Sequence, residues 1–227
     1  MSDIAENLIK FREELPEGVK LVAVSKTKPV EDIMEAYNAG QRVFGENRAQ
    51  ELMEKHEHVP DDVLWHMVGH LQRNKVKYIA DFVHMIESVD SLRLLRAVNK
   101  EAKKAGRVIN CLLQFHIAKE ETKFGFSPEE VDDIMQSEVL DELENVNIRG
   151  VMGMATFTDD MDKVRGEFKF LKSVFENLKS KYFQSKSDFS ELSMGMSGDY
   201  KVAIEEGSTM VRVGTNIFGA RYCKTDN

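Results

Sequence analysis

Lys26 follows a short, wholly apolar run, Leu21-Val-Ala-Val24, and opens the polar segment Ser25-Lys-Thr-Lys-Pro29. Most loop lysines are simply solvated. A lysine at the end of a strand buried on both faces can instead be desolvated, lose its proton and attack a carbonyl to form a Schiff base. Arg212 stands between Val211 and Val213, and alternation along a strand places it on the face opposite those two valines. There it would either close a structural ion pair or act as a fixed cation toward a ring nitrogen or an anion. Two glycine-rich segments, Met194-Gly-Met-Ser-Gly198 and Gly214-Thr-Asn-Ile-Phe-Gly219, offer close backbone approach and the hydroxyls of Ser197 and Thr215. They suit a phosphate, although Ala220 stands where a P-loop needs lysine.

The elements that must position these residues follow a regular rhythm. An amphipathic helix is expected over 3–15, from Ile4, Leu8, Phe11 and Leu15. Apolar runs then predict strands at Leu21–Val24, Arg42–Phe44, Val63–Val68, Phe82–Ile86, Val108–Phe115, Asn147–Met152, Glu191–Met194 and Thr209–Val213. A helix or helical turn follows each one. Pro29 and Gly40 bracket the first, Glu46–Lys55 forms the second, and a short one starts at Gln72. Ser91–Lys104 follows, then a capping box at Ser127-Pro-Glu-Glu130, then 161–181, 199–206 and Thr215–Gly219. Eight such units without a long linker predict one (β/α)8 TIM barrel over 1–227, preceded by the extra N-terminal helix. The alternative, an open doubly wound sheet, lacks its glycine fingerprint after the first strand. In a barrel the chemistry sits at the C-terminal ends of the strands, and phosphate sites often lie after strands seven and eight. Lys26, Ser197, Arg212, Gly214 and Thr215 all fall at that end.

Composition narrows the partners. The chain of 227 residues has 39 acidic and 31 basic residues and a formal charge of −8. That balance argues against nucleic acid and anionic membranes. No apolar run approaches the roughly 20 residues of a membrane span, and the N-terminus is charged where a signal peptide is apolar. Two cysteines, Cys111 and Cys223, without CxxC spacing point to a reducing compartment, most simply the cytoplasm. His66 and His70 have no helix and no following glutamate to make a zinc site of them. His56 and His58 read as solvated.

A Schiff-base lysine, an interior arginine and a phosphate cradle meet the aldehyde, the ring nitrogen and the phosphate of pyridoxal 5′-phosphate. An arginine at that nitrogen donates a hydrogen bond without giving up its proton, which weakens the ring as an electron sink. The sequence also resembles the pyridoxal-phosphate homeostasis proteins, barrels similar to the N-terminal domain of alanine racemase. The resemblance runs through Ala23-Val-Ser-Lys-Thr-Lys-Pro29, Phe44-Gly-Glu-Asn47, Trp65-His-Met-Val-Gly-His-Leu-Gln-Arg-Asn-Lys75, Arg149-Gly-Val-Met152, Leu192-Ser-Met-Gly-Met-Ser197 and the segment Gly207–Arg221. It implies that Lys26 carries the cofactor as an aldimine, that Arg212 meets the pyridine nitrogen, and that Asn47 lies near the 3-hydroxyl. It assigns Ser193, Ser197, Gly214 and Thr215 to the phosphate, and gives Lys123 an accessory role. The chain departs from its relatives in a short stretch before the first strand and in Met152-Gly-Met-Ala155, where they often carry proline.

The resemblance implies a protein that buffers or delivers pyridoxal phosphate, with apo-enzymes as partners, rather than an enzyme, and the lack of a dimer-forming domain like that of alanine racemase favours a monomer. The alternative is an amino-acid racemase, which needs a base on each face of its substrate. Eight βα units use the whole length, so no second domain is expected to supply one.

Overall fold

In the computed structural model of the protein, residues 3–118, 124–140 and 142–219 are described. Lys123, Arg221 and Cys223 lie outside them. Eight strands form the sheet: Lys20–Val24 (β1), Val43–Glu46 (β2), Leu64–Met67 (β3), Met85–Val89 (β4), Ile109–Phe115 (β5), Val146–Gly153 (β6), Glu191–Ser193 (β7) and Met210–Val213 (β8). They pair in parallel in chain order, and β8 returns to β1 through Leu21↔Val211 and Val22↔Arg212, so the barrel is closed. The helices are Asp3–Glu14 (α1), Val30–Asn38 (α2), Ala49–His56 (α3), Leu92–Lys104 (α4), Pro128–Gln136 (α5), Met161–Tyr182 (α6), Tyr200–Glu205 (α7) and Thr215–Phe218 (α8). A 3₁₀ segment, Arg73–Tyr78, stands between β3 and β4. This is the (β/α)8 barrel that the strand count predicts, with α1 preceding it.

Two apolar layers follow from the two-residue period of the strands. Residues on the outward face, among them Phe44, Trp65 and Met67, pack against Ile33, Leu52, Leu94 and Phe168 of the helices. The inward face is filled by Val22, Val68, Met85, Leu112, Met152 and Met210. The α5 capping box forms as expected, with Ser127 and Glu130 exchanging side-chain-to-backbone bonds. No helix among the described residues is long and apolar enough to cross a membrane.

Two boundaries differ from the apolar pattern, and both matter for the site. The second strand runs on to Glu46, because the carbonyls of Gly45 and Glu46 accept from the amides of Ser25 and Val68; α3 starts only at Ala49. The apolar run Phe82–Ile86 is not the fourth strand. The Val83 amide closes onto the Ile79 carbonyl at 2.8 Å, keeping Phe82 and Val83 in the turn after the 3₁₀ segment. The strand is Met85–Val89 instead, and it carries the fully buried Glu87 and Ser88.

Between β5 and β6 the register slips. Cys111 pairs with Ile148 and Leu112 with Gly150, so Arg149 is the extra residue of a β-bulge. Gly150 has φ of +154°, and a Cβ there would sit 1.8 Å from the Glu191 carbonyl oxygen of the neighbouring strand. Side chains are excluded by both conformation and space. Gly150→Ala should therefore destabilise the protein by about 3 kcal/mol or more, at the upper end of single-substitution effects. A lower midpoint in urea unfolding measures this, and an unchanged midpoint would show that the β6–β7 approach is not as close as described.

Candidate functional site

The C-terminal ends of β1, β2, β6, β7 and β8 surround a cavity of about 470 Å³. Its lining includes Lys26 and Asn47, from the ends of β1 and β2, and Arg212 from β8. Ser197 and Gly198 come from the loop after β7, and Gly214 and Thr215 from the start of α8. Six of the seven residues singled out in the sequence thus meet in one cavity. The seventh, Ser193, is fully buried and is not among the lining residues. Its hydroxyl accepts from Arg212 Nη1 at 2.6 Å and donates to Glu87 Oε2 at 2.6 Å. Ser193 is the last residue of a short strand and points inward beneath the guanidinium, so it acts on the cavity through Arg212. The resemblance assigns it to a phosphate; in this structure its hydroxyl meets Arg212 and Glu87.

Arg212 is 4% exposed. Burial draws its pKa below the usual guanidinium value, while Glu87 and Asp199 oppose that shift; it remains a cation at neutral pH. Nη2 donates to the Gly153 carbonyl at 3.1 Å, and Nη1 lies 3.8 Å from Glu87 Oε2. The other Glu87 oxygen meets His66 Nδ1 at 2.6 Å. Burial alone would raise the Glu87 pKa. The hydrogen bond and charge of His66, the charge of Arg212 and the Ser193 hydroxyl instead hold it below the usual carboxylate range. His66, Glu87, Ser193 and Arg212 form a connected chain across the barrel interior, from β3 through β4 and β7 to β8. Sequence reasoning missed Glu87 and gave His66 no role. The available signal was the inward register that Glu87 shares with Met85, two residues earlier, but a carboxylate in a strand reads as a strand end.

Asn47 is held where a second loop crosses it. The backbone at Gly69 passes so near that a Cβ would lie 2.3 Å from the Asn47 carbonyl oxygen, and glycine alone permits the crossing. After β7, Asp199 Oδ1 accepts from the Met196 amide at 2.5 Å. The Ser197 hydroxyl accepts from the Gly214 amide at 3.3 Å, which ties the β7 loop to the start of α8. After β6, Glu167 of α6 takes both the amide (2.7 Å) and the hydroxyl (2.8 Å) of Thr156, fixing the loop that forms the opposite wall. No Tyr, His or Cys is among the described residues that line the cavity. Among the described residues there is also no cluster of His, Cys, Asp or Glu able to hold a metal. Cys111 is buried in the sheet, its thiol pushed up to about 12 by desolvation.

The donor set fits pyridoxal phosphate on its own chemistry. One wall carries a primary amine, the floor a buried cation whose neutralising carboxylate lies below it, and one end a pair of hydroxyls beside a glycine. Fold and site together define a barrel of the alanine racemase N-terminal type, and the family model for the alanine racemase N-terminal domain matches residues 1–222. The chain belongs to the family of pyridoxal phosphate homeostasis proteins. The Aquifex aeolicus member is 39% identical over 97% of this chain and 96% of its own length, and the Escherichia coli K12 member is 35% identical over 97% and 98%. PipY of Synechococcus elongatus, solved with pyridoxal phosphate bound, superposes with a TM-score of 0.84 at 36% identity, covering 95% of this chain and all of that one. Alanine racemase from E. faecalis shares only the fold: 19% identity, TM-score 0.71, and 58% of that chain covered.

The depressed Glu87 pKa carries a sign. A carboxyl that is more acidic folded than unfolded contributes stability above its ordinary pKa and loses it as pH falls through the depressed value. Glu87→Gln should cost about 3–5 kcal/mol at neutral pH, because it leaves Arg212 buried without its counter-charge. The difference from wild type should then shrink as the pH is lowered, since only the wild type has that contribution to lose. Urea unfolding across the acidic range measures both. A gap that does not close in acid would mean Glu87 is not the ionised partner.

Proposed function

We propose that this chain is a single-domain, monomeric, cytoplasmic protein that binds pyridoxal 5′-phosphate on Lys26 and buffers or delivers it to apo-enzymes, without robust catalysis of its own. The observation that carries the reading is the meeting of Lys26, Arg212, Asn47, Ser197, Gly214 and Thr215 in one cavity, at the end of a barrel whose relatives bear that cofactor's name. The buried thiol of Cys111 agrees with a reducing compartment.

When bound, pyridoxal phosphate supplies an aldehyde that condenses with a primary amine and a conjugated ring that withdraws electrons from it. Lys26 provides the amine. Ser197, Gly214 and Thr215 hold the phosphate, and Asn47 faces the 3-hydroxyl. Arg212 donates a hydrogen bond to the ring nitrogen and keeps its own proton, since a guanidinium does not surrender one at neutral pH. Glu87 and Ser193 hold the guanidinium to that task. A ring nitrogen met in this way would stay unprotonated and would draw electrons less strongly than a protonated one.

One observation supports a carrier over a racemase. The homeostasis proteins match this chain over 96% or more of their own length in the Aquifex, Vibrio and Escherichia cases, whereas the E. faecalis racemase is matched over 58%.

Purified protein given pyridoxal phosphate should turn yellow, and borohydride should fix the cofactor to Lys26; Lys26→Ala should lose that adduct. A colourless protein that takes up none would overturn the reading. Incubation of the loaded protein with L-alanine in deuterated water should show no α-hydrogen exchange at catalytic rates, and fast exchange would make it an enzyme. Delivery is checked by activation of an apo-enzyme in the presence of a trap for free aldehyde, where failure of activation would leave buffering alone.

A further inference from the structure

Lys26 is the second residue of a four-residue turn, Ser25–Lys28, which the Lys28 amide closes onto the Ser25 carbonyl at 3.0 Å. The third residue, Thr27, has φ of +64°, and it is the only non-glycine residue with positive φ among the described residues. Turns of this shape ordinarily place glycine or asparagine there, and a β-branched residue in that region is a rare outlier. The turn is therefore held from outside.

The holding groups come from β2 and α3. Lys55 is 7% exposed, and its ammonium has three donors, each with an acceptor. These are the Ser25 carbonyl at 2.8 Å, Glu46 Oε1 at 2.7 Å and Glu51 Oε1 at 2.7 Å. Glu46 Oε1 also accepts the Ser25 hydroxyl at 2.7 Å, and Glu51 Oε1 also accepts the Thr27 amide at 2.6 Å. Both neighbours of Lys26 are thus gripped by one buried ammonium and its two carboxylates. None of Glu46, Glu51 and Lys55 lines the cavity. Burial raises the Glu46 pKa against the pull of Lys55 and Ser25, so the group is costly to keep where it is. An ion pair needed only to join sheet and helix would not have to end on the backbone of this turn on both sides of one lysine.

We infer that Lys55, Glu46 and Glu51 are positioning residues: they impose the left-handed turn on Thr27 and thereby present the Lys26 amine to the cavity. The inference rests on the function proposed for Lys26. It also explains why a threonine can stand at a glycine position, since the clamp supplies the conformation that the residue resists.

The test uses the full-length protein and pyridoxal phosphate. Glu51→Ala removes the Thr27 acceptor while leaving the buried Lys55–Glu46 pair, so the protein should fold. It should slow borohydride-trapped addition at Lys26 by roughly tenfold or more, as misplacement of a reacting group does, and speed hydrogen exchange of the Thr27 amide. Adding Thr27→Gly to that variant should restore most of the rate, because glycine adopts the turn unaided. Lys55→Met should slow Lys26 in the same way, with a loss of stability that Thr27→Gly does not repair. A merely structural clamp would lower stability in these variants yet leave the Lys26 rate, relative to the other lysines, at its wild-type value. That result, or a failure of glycine to rescue, would overturn the inference. If the wild-type protein takes up no pyridoxal phosphate, the functional reading fails instead. The clamp's hold on the turn is then decided by Thr27 exchange alone, and wild-type protection in Glu51→Ala would overturn it.

Discussion

A permanent cation in the interior of a parallel barrel is the constraint around which this structure is organised. Arg212 cannot be neutralised by losing its proton, and its desolvation is tolerated only if anions and acceptors lie within reach. Glu87 answers the charge, Ser193 bridges the two, the Gly153 carbonyl takes a second guanidinium nitrogen, and His66 holds the far oxygen of Glu87. These partners come from β3, β4, β6 and β7, so the chain of contacts exists only when the barrel is closed. Glu87 and Ser193 lie outside the cavity lining, whereas Arg212 itself, with Asp199 near it, is part of that lining.

The same logic recurs at the other pole of the site. Lys26 stands on a turn whose geometry is contrary to the preference of Thr27, a strain of roughly 1–3 kcal/mol for a non-glycine residue. The surrounding contacts from β2 and α3 sustain it. Between the two poles, Glu167 and Asp199 fix the loops after β6 and β7 through backbone amides. The reactive groups lie at strand ends and loops. What makes them a site is a set of buried or half-buried carboxylates, each spent on a backbone amide or a neighbouring cation.

Likeness to alanine racemase is a likeness of fold. The barrel supplies a lysine wall and an arginine floor, and the chemistry that follows depends on what else reaches the cavity. Here the described lining beyond Lys26 and Arg212 consists largely of small hydroxyl residues, glycines, methionines and aspartates. Such a lining can seat and hold an aldehyde cofactor.

The sequence by itself determined the closed eight-stranded barrel, the position of Lys26 at the end of a buried strand and the two glycine-rich loops. Each of these depends on local pattern: apolar runs of strand length, alternation, caps and glycine punctuation. Asn47 and Ser193 were reached only through resemblance. Of these two, Ser193 lies against Arg212 and off the cavity lining, because which face of a three-residue strand it presents depends on its neighbours in the sheet. Glu87 and His66 were invisible for a related reason. A carboxylate reads as exposed until residues far away in sequence, Ser193 and Arg212, are brought to it by barrel closure. Thr27 shows the same limit at the scale of one turn. Its own preference argues against the conformation it adopts, and the groups that hold its turn, Glu46, Glu51 and Lys55, lie 19 to 28 residues onward. Local chemistry placed the candidates, and tertiary contacts decided their roles, since charge burial and backbone strain are settled by partners that sequence neighbours cannot supply.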